Sequence, residues 1–182
     1  MTRAATVTII FAALLALSMP AGAQQVVRAS QRGTVSQTVA STVFTVTYDR
    51  PVARGRQLFG DGDAFLVKFG REWTPGANRA TILEISGDVR VEGQPLPAGK
   101  YSLWAIPQAD QWTIIFSSAW DVFHIPYPQG RDVLRIRVPV TKASHMETLA
   151  YYFPIVTADA TTLNIHWGET VVAIRFTLSS SN

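Results

Sequence analysis

The amino-acid sequence predicts an all-β domain, an antiparallel β-sandwich that is jelly-roll-like or a partly open barrel, with about nine strands and little helix. Apolar residues alternate with polar ones instead of recurring every three or four positions, which is the pattern of half-buried strands. Turn-forming residues separate these segments at short intervals. The chain has no cysteine, so no disulfide can stabilise the fold and the hydrophobic core must do so.

The strands follow from this alternation in chain order. The clearest is 133–140, in which Leu134 and Ile136 face the core while Arg135 and Arg137 face water. The other predicted strands are 43–48, 80–86, 89–92, 101–106, 112–117, 149–156, 161–167 and 171–178. Their short length and regular spacing favour antiparallel pairing within one sandwich.

Glycine, proline, asparagine and aspartate mark the turns between these strands. A helix is expected only at 64–68 or within 143–150. No internal repeat or linker divides the chain, which indicates a single domain. The predicted turns lie at 61–63, 86–88, 92–94, 97–99, 128–130 and 167–169.

The first 23 residues have the layout of a secretory signal peptide. Arg3 supplies a positive charge, 7–17 is an apolar run, and Ala21-Gly22-Ala23 gives small residues before a cleavage site. Because a run of this length is shorter than the roughly 20 residues needed to span a bilayer, cleavage is favoured over an uncleaved anchor. We expect a signal peptide at 1–23, a polar extension at 24–34, the sandwich domain at 35–178 and a disordered tail at 179–182. The expected location is periplasmic or secreted.

The charge balance argues against a polyanionic partner. The chain has 16 Lys and Arg against 13 Asp and Glu, and loss of Arg3 with the signal peptide leaves a formal charge of +2. Opposite charges are interspersed and no basic run occurs, so we expect no nucleic-acid partner. We also expect no stable membrane insertion after cleavage, no cofactor, and a monomeric or weakly associating protein.

One cluster of residues stands out as a candidate ligand site. Arg50, Arg54 and Arg56 place three guanidinium groups within seven residues, and such groups present forked donors to carboxylates or phosphates. Trp73 adds a flat apolar wall, and Asn78 follows it closely. The alternative is structural, since the same arginines could pair with nearby carboxylates such as those of residues 49, 61, 63 and 72.

A second candidate patch contains Trp104, Trp120, Asp121 and His124. Aromatic side chains of exported sandwiches can stack against sugars, although alternating aromatic residues also form cores. The segment 121–130 contains two prolines and a histidine and is predicted to be an irregular surface loop.

Catalytic and metal-binding patterns are weak. His166 followed by Glu169 resembles part of a cupin metal motif, but its other ligands are missing and the motif order is reversed. We therefore assign no metal ligand and no catalytic residue. A hydrolase remains an alternative, using carboxylates such as Glu72 and Glu84, or a His-Asp pair. Clustering of Asp121, His124, His166 and Glu169 in one pocket would favour it.

Several blocks together resemble the exported bacterial family called domain of unknown function 2911. The resemblance covers residues 35–178 and implies a periplasmic or secreted protein with one compact domain, but it implies no activity, substrate or catalytic residue. The blocks are Tyr48-Asp49-Arg50-Pro51, Gly55-Arg56, Phe59-Gly60, Trp73 with Gly76-Ala77-Asn78 and Ala80-Thr81, Leu96-Pro97-Ala98-Gly99 with Tyr101, Trp112-Thr113-Ile114-Ile115-Phe116, and Asp132-Val133-Leu134.

The chain departs from the pattern of this family in one block. Where the family usually has Trp-Arg-Thr-Gly-Ala-Asn-Glu, this chain has Trp73-Thr74-Pro75-Gly76-Ala77-Asn78-Arg79. An arginine is lost and an acid is replaced by a base, which weakens the case for a charged site there. The sequence favours a non-catalytic module of the cell envelope that binds a small molecule or glycan. The alternatives are the hydrolase and a structural module that pairs with an envelope partner.

Overall fold

The computed structural model describes residues 29–179. The predicted signal peptide, part of the predicted extension and residues 180–182 of the tail lie outside this range. Among the described residues all regular structure is β-strand, and none of them forms a helix that could cross a bilayer. The strands are β1 (Gln31–Val39), β2 (Thr42–Arg50), β3 (Phe59–Gly60), β4 (Val67–Lys68), β5 (Thr81–Ile85), β6 (Val89–Val91), β7 (Gln94–Leu96), β8 (Gly99–Pro107), β9 (Gln111–Ser117), β10 (Asp132–Val156) and β11 (Ala160–Leu178).

Nine of these strands form one continuous antiparallel sheet in the order β1-β2-β5-β8-β9-β10-β11-β6-β7, which does not close into a barrel. The exception is the short parallel pair β3–β4. The first part of β10 pairs with β9 and the second part with β11. Because β10 is shared in this way, the sheet folds over at β10 and its two halves pack face to face.

Aromatic side chains fill the space between the two halves. Phe44 of β2 contacts Phe176 of β11 with ring centroids 5.3 Å apart, and Tyr48 contacts Tyr151 of β10 at 4.6 Å. Phe116 of β9 also meets Phe176 at 6.4 Å. These contacts join strands that are distant in the sheet, and they confirm the predicted antiparallel sandwich.

The predicted inward and outward positions are confirmed. Along β10, Ile136 is 2% exposed, whereas its neighbours Arg135 and Arg137 are exposed. In β11, Ile174 is buried and Arg175 is exposed. Apolar residues that alternate with charged ones therefore mark the positions that face the core of this sheet.

A second, smaller core lies on the outer side of β8 and β9. Trp104 and Ile115 are buried there together with Ala80. The irregular segment 118–131 covers them, with Val122 and Tyr127 packed against this cluster. This explains why both faces of β8 are apolar over part of its length.

Three local expectations are wrong. Residues 64–66 are irregular and 67–68 form β4, while 143–150 lies inside β10, so neither segment is a helix. The register of β10 against β11 shifts near Met146, which accounts for the interrupted alternation that suggested a helix. The predicted turn at 167–169 lies inside β11, where Gly168 has a φ of +59° and forms part of this irregularity. In addition, β1 was not among the predicted strands, and it begins at Gln31.

Candidate functional site

A cavity of about 450 Å³ opens between the irregular segments that join β2 to β5 and the loop after β9. Four of the five residues in the predicted arginine cluster line it, and His124 from the second predicted patch joins them. We call this space the arginine cavity. It is lined by Ala29, Ser30, Pro51, Val52, Arg54, Arg56, Leu66, Val67, Trp73, Gly76, Ala77, Asn78, His124 and Trp167.

The turn that carries the arginines is held by β10. The backbone N–H of Ala53 donates to the carbonyl of Glu147 at 2.7 Å. The backbone N–H of Arg54 donates to Oε1 of the same glutamate at 2.7 Å. Hydrogen bonds from His145 and then from the Arg54 backbone hold the pKa of the Glu147 carboxyl below its usual range. One residue of β10 thus fixes the turn through both its backbone and its side chain.

Arg56 and Arg54 use their guanidinium groups differently. Arg56 donates from Nε to the carbonyl of Ala53 at 2.9 Å and from Nη2 to that of Val52 at 2.6 Å. Arg54 has a φ of +52° and sits at the tip of the turn. Its guanidinium has no hydrogen-bond or ion-pair partner within residues 29–179. Arg56 therefore stabilises the turn, whereas the guanidinium N–H groups of Arg54 are not used by the described residues.

Arg50 does not line the cavity. It lies at the end of β2, where its Nε donates to the carbonyl of Leu149 at 3.4 Å. None of Arg50, Arg54 and Arg56 forms an ion pair with an acidic residue of the described chain. The alternative in which these arginines pair with nearby carboxylates is therefore wrong, although two of the three have structural roles through backbone carbonyls.

The floor of the cavity is the loop 74–80, which rests on a buried hydrogen-bond network. The Thr81 hydroxyl donates to the carbonyl of Pro75 at 2.8 Å, and the Tyr151 hydroxyl donates to the same carbonyl at 2.8 Å. Thr74 accepts from the Thr81 backbone N–H at 3.0 Å. A Cβ on Gly76 would lie 2.6 Å from the Thr81 Oγ1. Only glycine permits this close approach.

Thr74 and Arg79, the two positions that depart from the pattern implied by the resemblance, do not line the cavity. Thr74 is 1% exposed and donates to the Leu103 carbonyl at 2.8 Å. Arg79 forms an exposed ion pair with Asp121. Neither exchange places a charge in the cavity.

Asn78 and His124 form the side of the cavity next to this floor. Asn78 has a φ of +58°, a conformation that asparagine adopts more readily than most residues. Its carbonyl accepts from the His124 backbone N–H at 3.0 Å and from the His124 Nδ1 at 2.7 Å. Because a carbonyl can only accept, Nδ1 carries the proton. The Asn78 Nδ2 is shielded from water and has no partner among the described residues.

Aromatic side chains form the apolar wall. Trp73 and Trp167 stack with centroids 6.1 Å apart and an interplanar angle of 16°. Phe59 lies against both, at 5.7 Å from Trp73 and 6.0 Å from Trp167. The Trp167 indole also donates to the Glu147 carbonyl at 3.3 Å. The wall and the arginine turn are thus attached to the same residue of β10.

The second predicted patch does not form one surface. Trp104 is 1% exposed and lies in the small core, so it cannot present a face to a ligand. Trp120 is 39% exposed, while Asp121 is engaged with Arg79. Only His124 of this group lines the arginine cavity.

The residues considered for hydrolysis are dispersed. His166 is 5% exposed and lies between the Tyr152 hydroxyl and the Ser144 carbonyl, at 3.2 and 3.1 Å. Glu169 lines a different hollow, beside His145 and Arg56. Glu84 forms an exposed ion pair with Lys100, and Glu72 is exposed. No group of three or more metal-ligating side chains occurs in the part of the chain that the structure describes.

Sequence reasoning missed some of the cavity. The sequence places Trp167 where a predicted strand ends and a predicted turn begins, whereas it stacks on Trp73 from within β11. Val52 and Leu66 were not distinguished from other apolar residues, although they line the cavity. A tryptophan next to a glycine within a strand pattern is the signal that could have identified Trp167.

These features define a cysteine-free all-β sandwich with a mixed cationic and aromatic cavity. The chain belongs to the family described as "Protein of unknown function (DUF2911)", whose model matches residues 30–176. This match confirms the family resemblance seen in the motifs. No curated protein and no solved structure matches the chain.

Proposed function

We propose that this domain is an exported, non-catalytic binding module of the cell envelope that holds a small molecule or a glycan unit in the arginine cavity. The observation that carries the proposal is the meeting of Arg54, Arg56, Trp73 and Asn78 around one space of about 450 Å³. This volume lies within the range of about 300–1,000 Å³ typical of small-molecule sites. The layout of residues 1–23 supports export.

The composition of the wall supports binding. Both charged residues that line the cavity are arginines, and no aspartate or glutamate is among the described lining residues. Apolar side chains, including the half-buried Trp73 and the exposed Leu66, line much of the rest of the cavity. A few placed donors on an apolar wall are what fix the orientation of a small ligand.

The dispersal of reactive side chains favours binding over hydrolysis. His124 is the only one of the four residues named for hydrolysis among the described residues that line the cavity. Its Nδ1 is engaged by the Asn78 carbonyl, not by a carboxylate. A nucleophile activated by a base and an orienting acid needs these groups in mutual contact.

Ligand-induced stabilisation tests the proposal. The processed protein is screened at about 10 mM against small carboxylates, amines and monosaccharides by thermal unfolding. A ligand present at ten times its Kd adds about 1.4 kcal/mol of stability, which corresponds to about 3–6 °C for a domain of this size.

Two variants locate the effect. Ala77→Leu fills the cavity, since Ala77 lines it, and is expected to abolish the shift for every class of probe. Arg71→Ala removes an exposed arginine that does not line the cavity and is expected to retain it. A screen without any shift, or a shift that persists in Ala77→Leu, would overturn the proposal.

A further inference from the structure

We infer that the arginine cavity selects a small organic carboxylate with a flat apolar body. This inference rests on the proposed binding function and specifies its ligand class. It combines the charge of the cavity, the number of donors that remain unused, and the position of the aromatic wall.

The charge of the lining favours an anion. Arg54 and Arg56 are the charged lining residues, and both are cationic. The nearby carboxylate of Glu147 is already occupied by the Arg54 backbone N–H and by His145. A cationic ligand would meet two guanidinium groups with no acid in the described lining to offset them.

The number of unused donors favours a carboxylate over a phosphate group. Arg56 donates hydrogen bonds to the carbonyls of Ala53 and Val52. The Arg54 guanidinium is therefore the one whose full planar set of N–H donors is unused by the described residues. A planar fork matches the two oxygens of a carboxylate. A phosphate carries more charge and more acceptor oxygens, and its sites usually combine several donors.

Asn78 provides a further donor. Its Nδ2 is shielded from water and has no partner among residues 29–179, while the residue lines the cavity. An unpaired buried N–H is destabilising until it finds an acceptor. Rotation about χ2 is soft for asparagine, so a carboxylate oxygen in the cavity can supply that acceptor.

The aromatic wall requires an apolar part in the same ligand. Trp73 is half-buried beside the cationic turn, with its ring stacked on that of the buried Trp167, and the exposed side chain of Leu66 extends the apolar lining. A flat ring or conjugated chain would remove this surface from water while its carboxylate meets Arg54. Inorganic anions lack this contribution.

Three probes that share a benzyl group and one anion without it separate these requirements. Each probe is titrated into the processed protein, and its Kd is measured by calorimetry. The probes are phenylacetate, benzylamine, benzyl alcohol and inorganic phosphate. Phenylacetate is expected to bind at least about tenfold more tightly than the other three, since a hydrogen bond to a charged group contributes the equivalent of a tenfold or larger factor.

Variants of the two donors test the assignment. Arg54→Ala is expected to weaken phenylacetate at least about tenfold, and Arg54→Lys less, because lysine keeps the charge without the fork. Asn78→Asp keeps the shape and the tolerance for positive φ but replaces a donor by an anionic acceptor, so it should also weaken phenylacetate at least about tenfold. Arg71→Ala should leave the Kd within about twofold.

The outcomes are distinguishable. If benzylamine, benzyl alcohol or phosphate binds more tightly than phenylacetate, and this binding is lost in Ala77→Leu, the carboxylate inference is overturned while the proposed binding function stands. Phenylacetate binding that is unchanged in both Arg54→Ala and Asn78→Asp would also overturn it. Failure of all four probes would overturn this inference, and a blank result in the wider screen would overturn the proposed function as well. Circular dichroism of each variant shows that a loss of binding does not come from unfolding.

Discussion

Replacement of Gly76 by alanine tests whether the cavity floor is as closely packed as the structure indicates. The added Cβ would lie 2.6 Å from the Thr81 Oγ1, well inside an ordinary van der Waals contact. Thr81 is completely buried, and its hydroxyl donates to the Pro75 carbonyl at 2.8 Å. The hydroxyl cannot turn away without losing this hydrogen bond.

The expected cost combines two effects. Overpacking of a well-packed core costs about 1–3 kcal/mol, and loss of the Thr81 hydrogen bond adds about 0.5–1.5 kcal/mol. We therefore expect Gly76→Ala to lower the free energy of unfolding by about 2–4 kcal/mol. Since 1 kcal/mol shifts the melting temperature of such a domain by about 2–4 °C, the midpoint should fall by about 4–16 °C.

Chemical denaturation of a double-mutant cycle is the assay. Thr81→Ala removes the atom that the new Cβ would meet, so the double variant should be more stable than the sum of the two single changes predicts, by at least about 0.5 kcal/mol. Gly33→Ala is the control: its nearest contact, at 2.9 Å, is the flexible side chain of Arg50, and its cost should stay within about 0.5 kcal/mol. A cost below this value for Gly76→Ala, or strict additivity in the cycle, would refute the packing argument.

Three other predictions follow from single contacts. Arg56→Ala should cost about 1–2 kcal/mol through loss of two hydrogen bonds to backbone carbonyls, whereas Arg54→Ala should cost less than about 0.5 kcal/mol; equal urea midpoints would contradict this division of roles. Ser102→Ala should cost about 1–3 kcal/mol because it leaves the buried indole N–H of Trp104 without its acceptor at 2.8 Å. A Ser102→Thr variant, which keeps a hydroxyl, should retain part of this stability in thermal unfolding. Burial, and then a hydrogen bond to a carboxylate, raises the pKa of Tyr127 to about 12; since the folded-state pKa exceeds the unfolded value of about 10, its stabilising effect is complete below pH 10 and is lost as the pH rises toward 12. Tyr127→Phe should therefore lose less stability than wild type between pH 9 and about 11.5 in urea titrations, and parallel curves would exclude this source.

The strands were predictable where one face meets the core and the other meets water. Along β10 the alternation of Ile136 with Arg135 and Arg137 gives both the strand and its orientation. The same reasoning fails near Met146, because a shift of register breaks the period of two and leaves a pattern that resembles a helix. The two-residue strands β3 and β4 are too short for any periodicity to show.

The candidate site was predictable in part for a related reason. Arg54, Arg56, Trp73 and Asn78 stand close together in the chain, and the fold keeps them together. Trp167 and Glu147 come from strands far along the sequence, and only the pairing of β10 with β11 brings them to the same place. Arg50 is adjacent in sequence but ends a strand, and its donor therefore meets the Leu149 carbonyl.

The connection between β2 and β5 supports the case for a function located at the cavity. These strands are antiparallel neighbours in the sheet, and such a pair needs only a few residues to join it. The connection instead has thirty residues, 51–80, of which only β3 and β4 are regular strand. Connections this long are uncommon in compact domains unless they have a role of their own.

This long connection is also held in a defined shape. Ala53 is fixed by Glu147, Trp73 exchanges two backbone hydrogen bonds with Ala105 at 2.9 and 2.7 Å, and His124 closes the far side through Asn78. Each anchor orders backbone at an entropic cost of about 1–2 kcal/mol per residue, although a short hairpin would satisfy the sheet without it. Selection for stability alone would favour the shorter connection. Stability alone therefore does not account for the ordered connection around the cavity, which supports the proposed role of the cavity in binding.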